Sequence, residues 1–376
     1  DKNSAYAKRD GVQAILPGSI NGSELINRIF TNNNSEVMPP SDDGSLSSSE
    51  KAILKQWIIE GARYEKHWAF QSHSKPKLPS VIDWGRNEID NFILKQMSEV
   101  DLSPQKPVKR EMLIRRVSLD LTGLPPSLEE VDRFLEDNNP GAYEKVIDRL
   151  LASPRYGERM AVWWLDGARY GDSHGYDNDL ENSQWPWRNW VIEAFNQNMS
   201  YSQFTIEQLA GDLLPNPTES QVLATGFNRN HRINTEGGAI DDEWRTEYVI
   251  DRVQTMGSVW MGITLSCARC HDHKYDPISQ REFYQLFALF NNLDEKGFIN
   301  NLRGSAEPRI RYKKENFALR KKQLQSKFKD AQLKAAMDQL ESEHPFVMIM
   351  KDSKIRRSFI LNRGQYDSIG DQVYPG

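Results

Sequence analysis

The sequence predicts a mainly α-helical protein, on three observations. Apolar residues recur at helical spacing from Val81 to Phe290. Ser-x-x-Glu start signals stand at Ser47/Glu50, Ser127/Glu130 and Ser279/Glu282, and no alternating strand pattern competes until about the last 70 residues. At 376 residues the chain exceeds one ordinary core, and a prior of one domain per ~150 residues gives two or three.

In order, residues 1–66 read as a loop-rich piece followed by one helix. In LSSSEKAILKQWIIEGARY, Ile53, Leu54, Trp57 and Ile58 form an apolar stripe and Gly61 is placed to end the helix. A lone stripe cannot bury itself, so its partner is expected upstream of Asp1 or in the next domain. Residues 67–80, polar with two prolines, read as a linker that opens on an aromatic anchor.

The segment 81–302 reads as a central helical domain. Ile89, Phe92, Ile93 and Met97 share one face; MLIRRVSLDLTGLPPSLEEVDRFLED is two helices across a Gly-Leu-Pro-Pro break; and Pro154 suits the first turn of another. The tryptophans at 163, 164, 185, 187 and 190 are expected in the core. Val249, Val253, Met256, Trp260 and Ile263 predict a helix running into Cys267, and Phe283, Leu286, Phe287 and Phe290 line the next one. Residues 303–345 are charged and expected as an exposed helix or short helical hairpin. Residues 346–376, β-branched and aromatic runs broken by Gly and Asp, are expected to open a further, β-containing domain.

A net charge of −5 from well-mixed charges provides no basic face for nucleic acid. No apolar run reaches the ~18 residues of a membrane span, and the first residues show no apolar signal-peptide core.

The chemistry concentrates in SCARCHDHKYDP, which holds the only two cysteines, Cys267 and Cys270. Two cysteines three apart can form thioethers to the vinyl groups of a haem, with His271 as proximal ligand. Zinc on Cys267, Cys270, His271 and His273 is an alternative, although four donors within seven residues reach tetrahedral corners poorly. A redox disulfide is a third, and it ordinarily sits at a strand-to-helix junction. Haem is favoured, and it implies an extracytoplasmic location on the oxidising side of a membrane.

For the distal face of the iron, His231 in NRNHRIN is the first candidate, with His174 and His273 as alternatives to an open position. Met256 is expected to pack in the core. Asp172, Asp177, Asp179 and Glu181 could offer oxygen ligands to calcium, though a solvated acidic loop is the simpler reading. Glu236, Asp241, Asp242 and Glu243 are read as a turn and helix start.

AVWWLDGARYGDSHGYDND, and then the run from GFNRNHRIN through SCARCHDHKYDP to LFALFNN, resemble the central domain of large extracytoplasmic proteins that carry the planctomycete cytochrome C domain. SFILNRGQYDSIGDQVYPG resembles the opening of their next domain. VMPPSDDGSLSSSEKAILKQWIIEGARYEKHWAF is similar to the back half of their small cytochrome c domain, which implies Met38 as distal ligand of a second haem. That domain's own CxxCH is not in this chain, so either the numbering starts after it or that haem is absent.

The expected function is electron transfer by a c-type cytochrome with one covalent haem c, coupled to oxidation of an extracellular substrate and exchanging electrons with a redox partner or neighbouring haem domain. A haem enzyme with peroxidase-like activity and a zinc-binding structural module are the alternatives.

Overall fold

A computed structural model of the chain describes residues 2–40, 43–65, 67–80, 84–300, 302–313 and 317–376. Half of the chain is helical, which bears out the mainly α expectation, and among the described residues the strands come only in short pairs. The chain forms two compact units, 1–106 and 107–376.

The first unit opens with α1 (Lys2–Tyr6) and a minimal hairpin, β1 (Lys8–Arg9) and β2 (Val12–Gln13). Two helices follow, α2 (Glu24–Phe30) and α3 (Ser48–Ile59). The capping box forms as expected: Glu50 N–H donates to Ser47 Oγ (3.3 Å) and Ser47 N–H to the Glu50 carboxylate (2.7 Å). The expected stripe narrows, because Ile53 is 67% exposed while Leu54, Trp57 and Ile58 face inward. Their partners lie within the unit: Ile26 and Ile29 of α2 close on Ile15, Ile58 and Ala62. Ile29 and Ile58, fully buried, each contribute about 1.5–3 kcal/mol of apolar burial. The 67–80 segment has no regular structure beyond one short 3-10 turn, and its expected anchor, Trp68, is exposed. Next, α4 (Glu88–Glu99) starts on an Asn87/Asp90 capping box, but none of its residues is buried and Ile89 and Ile93 of the expected stripe are exposed.

The second unit begins with α5 (Arg110–Thr122), α6 (Leu128–Glu136) and α7 (Ala142–Leu151), packed around Ile114, Phe134, Val146 and Leu150. Then α8 (Pro154–Gly167), α9 (Trp185–Asn196), α10 (Tyr201–Ala210) and α11 (Glu219–Ala224) enclose Trp187, Val191, Phe204 and Phe227. Trp187 and Trp190 are core residues as expected; Trp163 instead lies exposed beneath the Arg159 guanidinium.

The third core lies between α12 (Asp241–Met256) and α13 (Gln280–Phe290). Asp241, Asp242 and Glu243 fill the first turn of α12, where carboxylates favour the helix dipole. The helix expected to run into Cys267 stops at Met256, widens into a π turn over Gly257–Met261, and ends on Gly262 at φ +64°, a conformation that glycine adopts without strain. This widening splits the predicted stripe. Val249 and Val253 stay against Phe283 and Phe287, while Trp260 swings into the tryptophan core and donates to Thr205 Oγ1 (2.9 Å).

The charged segment is a helical hairpin on a strand ribbon. β3 (Arg309–Arg311) leads into α14 (Phe317–Lys327) and α15 (Asp330–Ser342), and β4 (Phe346–Met348) returns antiparallel to β3 with Arg309 opposite Met348. β5 (Ser358–Leu361) and β6 (Ile369–Val373) form the last pair. Met350, Leu361 and Val373, from the segment read as the start of a further domain, are buried in the α12/α13 core.

Candidate functional site

The CARCH loop is held from beneath. Leu265 and Ala268 are buried in the α12/α13 core, and the short 3-10 turn Ser266–Arg269 between them and Cys270 leaves both cysteines exposed as free thiols. The turn closes with Cys270 N–H and His271 N–H donating to Cys267 O (3.3 and 3.4 Å). Arg269 fixes it laterally. Its guanidinium donates to the Glu247 carboxylate (3.0 Å from Nη1) and to Gly364 O (2.8 Å from Nη2), and its carbonyl accepts from Tyr284 Oη (2.9 Å). Gly364 packs so closely that a Cβ there would lie 2.7 Å from Arg269 Nε and 3.0 Å from Cys270 Sγ.

His271 is exposed, with Nδ1 2.7 Å from Asp272 O. A carbonyl only accepts, so Nδ1 carries the proton and Nε2 presents its lone pair, the tautomer a metal-binding histidine needs. Two free, exposed thiols and an adjacent imidazole with a bare Nε2 fit covalent haem attachment.

His273 is oriented otherwise. Its side chain is 6% exposed and Nδ1 accepts from Asp276 N–H (2.9 Å) and Tyr275 N–H (3.3 Å), capping its own turn. The four donors of the zinc reading are therefore not gathered, and among the described residues no group of three or more His, Cys, Asp or Glu is arranged to hold a metal ion. The calcium reading finds no support for the same reason: Asp172 Oδ1 accepts from Gln184 N–H (2.8 Å) and Asp179 Oδ1 from Gly175 N–H (2.7 Å), so these carboxylates brace the loop.

His231 lies in a buried ionic cluster. Arg252 reaches both oxygens of Glu295 (2.5 Å each), Arg229 binds the same carboxylate, and all three side chains are almost wholly buried. His231 Nδ1 donates to Arg232 O (2.8 Å), Nε2 accepts from Arg252 Nη2 (2.9 Å), and the ring stacks on Tyr248 at 4.4 Å. Burial, reinforced by the Arg252 charge, pushes its pKa well below the ordinary histidine value and keeps it neutral. Burial alone would raise the Glu295 carboxyl, but Arg252 and Arg229 outweigh it and hold Glu295 at about 2. To reach an iron, His231 would have to give up Arg252.

His174 is not at the surface: it is 1% exposed, and burial pushes its pKa down. Its backbone carbonyl accepts from Ile233 N–H (2.9 Å), stitching the GDSHGYDND and NRNHRIN loops together. Met256 packs against the α12/α13 core, as expected. In the first unit Met38 has an exposed side chain, and its N–H donates to Arg28 O (3.1 Å). Sequence reasoning passed over Arg229, Arg252 and Glu295. The available signal was Arg252 itself, a charge inside the apolar stripe between Val249 and Val253.

The profile of the PSCyt2 family, described as a protein of unknown function (DUF1549), matches residues 88–295, more than half of the chain. The chain belongs to the PSCyt2 family. Residues 1–42 match a second profile, PSCyt1, planctomycete cytochrome C, so this PSCyt2 member is a planctomycete-type cytochrome C domain protein. No curated protein and no solved structure matches it. Among the described residues of this PSCyt2 chain, no helix is long and apolar enough to cross a membrane.

Proposed function

We propose that the chain is an extracytoplasmic electron-transfer module in which Cys267 and Cys270 carry a covalent haem c and His271 Nε2 is its proximal ligand. The observation that carries this reading is the His271 ring, exposed beside two free thiols with its proton fixed on Nδ1 by Asp272 O. The haem supplies reversible one-electron chemistry when bound. The protein's part is to hold the anchor: Glu247 and Gly364 immobilise Arg269, and Ala268 seats the turn, so the cysteine spacing is set before attachment. The planctomycete cytochrome C match supports a haem-protein setting. In the same reading the segments 1–66, 67–80, 81–302, 303–345 and 346–376 are successive modules in sequence, with 346–376 packed into the core of the central one and the compact units dividing at residue 106. Met38 is the distal ligand of a second haem where that haem is present, and electrons pass to a neighbouring haem domain or redox partner.

A second reading, a haem enzyme with peroxidase-like or oxidative activity, is favoured by one observation: both ring nitrogens of His231 are engaged by Arg232 and Arg252, which leaves the distal iron position without that ligand. The visible spectrum of the purified protein, with and without dithionite, decides. The expected result is a Soret band and haem that stays on the chain under denaturation, lost in the Cys267→Ala/Cys270→Ala variant. Absence of a Soret band ends both haem readings. A low-spin spectrum supports electron transfer, and a high-spin ferric spectrum that shifts with cyanide supports the enzyme.

A further inference from the structure

Ile355, in the loop 351–357 that joins β4 to β5, is 91% exposed, more than any other large apolar side chain among the described residues. A single exposed aliphatic residue is ordinary on a protein surface and means nothing alone. This one is held out. Ser353 N–H and Oγ–H donate to Asn292 O (3.1 and 3.3 Å), and Arg356 N–H donates to Asn292 Oδ1 (3.0 Å). The loop is thus tied to the end of α13 on both sides of Lys354 and Ile355, which form its tip. Ties at that spacing keep the isoleucine from turning back into the core.

The same tip is basic. Lys351, Lys354 and Arg357 are exposed and make no ion pair among the described residues, whereas Arg356 lies 3.7 Å from Asp294. Two further carboxylates lie beneath the loop, Asp352 facing the Asn292 amide and Asp212 facing the Asp352 backbone, and both are partly buried. The charge presented to solvent is therefore positive, on a chain whose net charge is −5. A soluble polyanion would pair with the three cations and offer nothing to the isoleucine. A purely apolar partner would bury the isoleucine and leave the cations without counter-charge. An anionic bilayer meets both, with phosphates at the level of the cations and acyl chains just below them.

We propose that the 351–357 loop is a docking point for an anionic membrane surface, with Ile355 entering between the lipid headgroups and Lys351, Lys354 and Arg357 against their phosphates. The attachment is peripheral and reversible, because one inserted side chain and three cations fall far short of a membrane-spanning helix. The CARCH loop meets the other end of α13, where Gln280 Nε2 donates to Arg269 O (3.1 Å). Asn292 stands about 18 Å further along that helix axis. The inference does not depend on the haem reading, since none of the docking residues belongs to the CARCH loop.

The test is co-sedimentation of the full chain with vesicles of phosphatidylglycerol, with vesicles of phosphatidylcholine as the comparison. Binding to phosphatidylglycerol is expected, at least about tenfold tighter than to phosphatidylcholine. It should weaken as salt rises from about 0.1 M to 1 M, which shortens the screening length from about 10 Å to 3 Å. Ile355→Ser should weaken it by about tenfold, and Lys354→Gln by about fivefold. Both side chains are exposed, so both variants should keep the fold, as circular dichroism would verify. No sedimentation with phosphatidylglycerol overturns the proposal, and so does equal binding to phosphatidylcholine. Unchanged affinity in folded Ile355→Ser also overturns it, since that would leave a patch that binds polyanions by charge alone.

Discussion

Glu247 and Asp251 stand one turn apart on the same face of α12, and each holds an arginine from another segment. Glu247 binds Arg269 in the CARCH loop, and Asp251 binds Arg169 on the loop that leads to His174. Four residues of helix separate them by about 6 Å along the axis. One rigid helix thus supports both the anchor loop and the loop that leads to His174.

The Glu247 contact can be probed directly. Both partners are about one-quarter exposed and the contact is bidentate, so Glu247→Gln should cost about 1 kcal/mol. In a unit of this size that lowers the melting temperature by about 2–4 °C. Melting at the wild-type temperature would mean that the Arg269 contact contributes nothing to stability.

Glu295 should be far more sensitive. Glu295→Gln leaves two buried guanidinium groups competing for a neutral amide, with an expected loss of about 3–5 kcal/mol in denaturant unfolding. The pH dependence has a fixed sign. The folded-state value of about 2 lies below the ordinary 4.5, so the contribution is fully present above about pH 4.5 and is lost as pH falls toward 2. The stability gap between wild type and Glu295→Gln should therefore shrink over that window; a gap that stays constant would show that the carboxylate charge is not its source.

The two histidines of CARCHDH should separate by function. His273→Ala removes an acceptor from two backbone N–H groups and should cost roughly 1 kcal/mol while leaving covalent haem in place. His271→Ala should barely change folding, since the ring is exposed, but should alter the iron spectrum. The reverse pattern would reassign the ligand to His273.

Gly364→Ala places a Cβ into Arg269 and Cys270, at a residue whose φ of +72° already disfavours a side chain. A stability loss of about 1–2 kcal/mol is expected, together with lower haem occupancy measured as the Soret-to-protein absorbance ratio. Normal occupancy would show that the C-terminal strand pair does not set the loop geometry.

Much of the helical skeleton was legible in the sequence because its signals are local. Ser127/Glu130 and Ser279/Glu282 form the capping boxes that their spacing implies, and each starts its helix at the expected residue. The CARCH loop was legible for the same reason. What was not legible depends on distant partners. Nothing near His231 announces Glu295, 64 positions on, and without Glu295 the ring reads as an available ligand. The β3/β4 pairing joins short segments across a helical hairpin, beyond the reach of any period-two pattern. The change from α to π geometry after Met256, where Gly257 packs closely on Leu265, is a feature that no helical stripe reveals.

The ribbon beneath α14 and α15 has its own consequence. Arg311 lies opposite Phe346, and Tyr312 N–H donates to Pro345 O (2.9 Å), so the chain departs from the body and rejoins it at neighbouring points. Everything beyond that neck is an appendage. Its length can vary by insertion or excision, or it can be exchanged for a tight turn, with closure of the cores beneath left to the two strands that frame it.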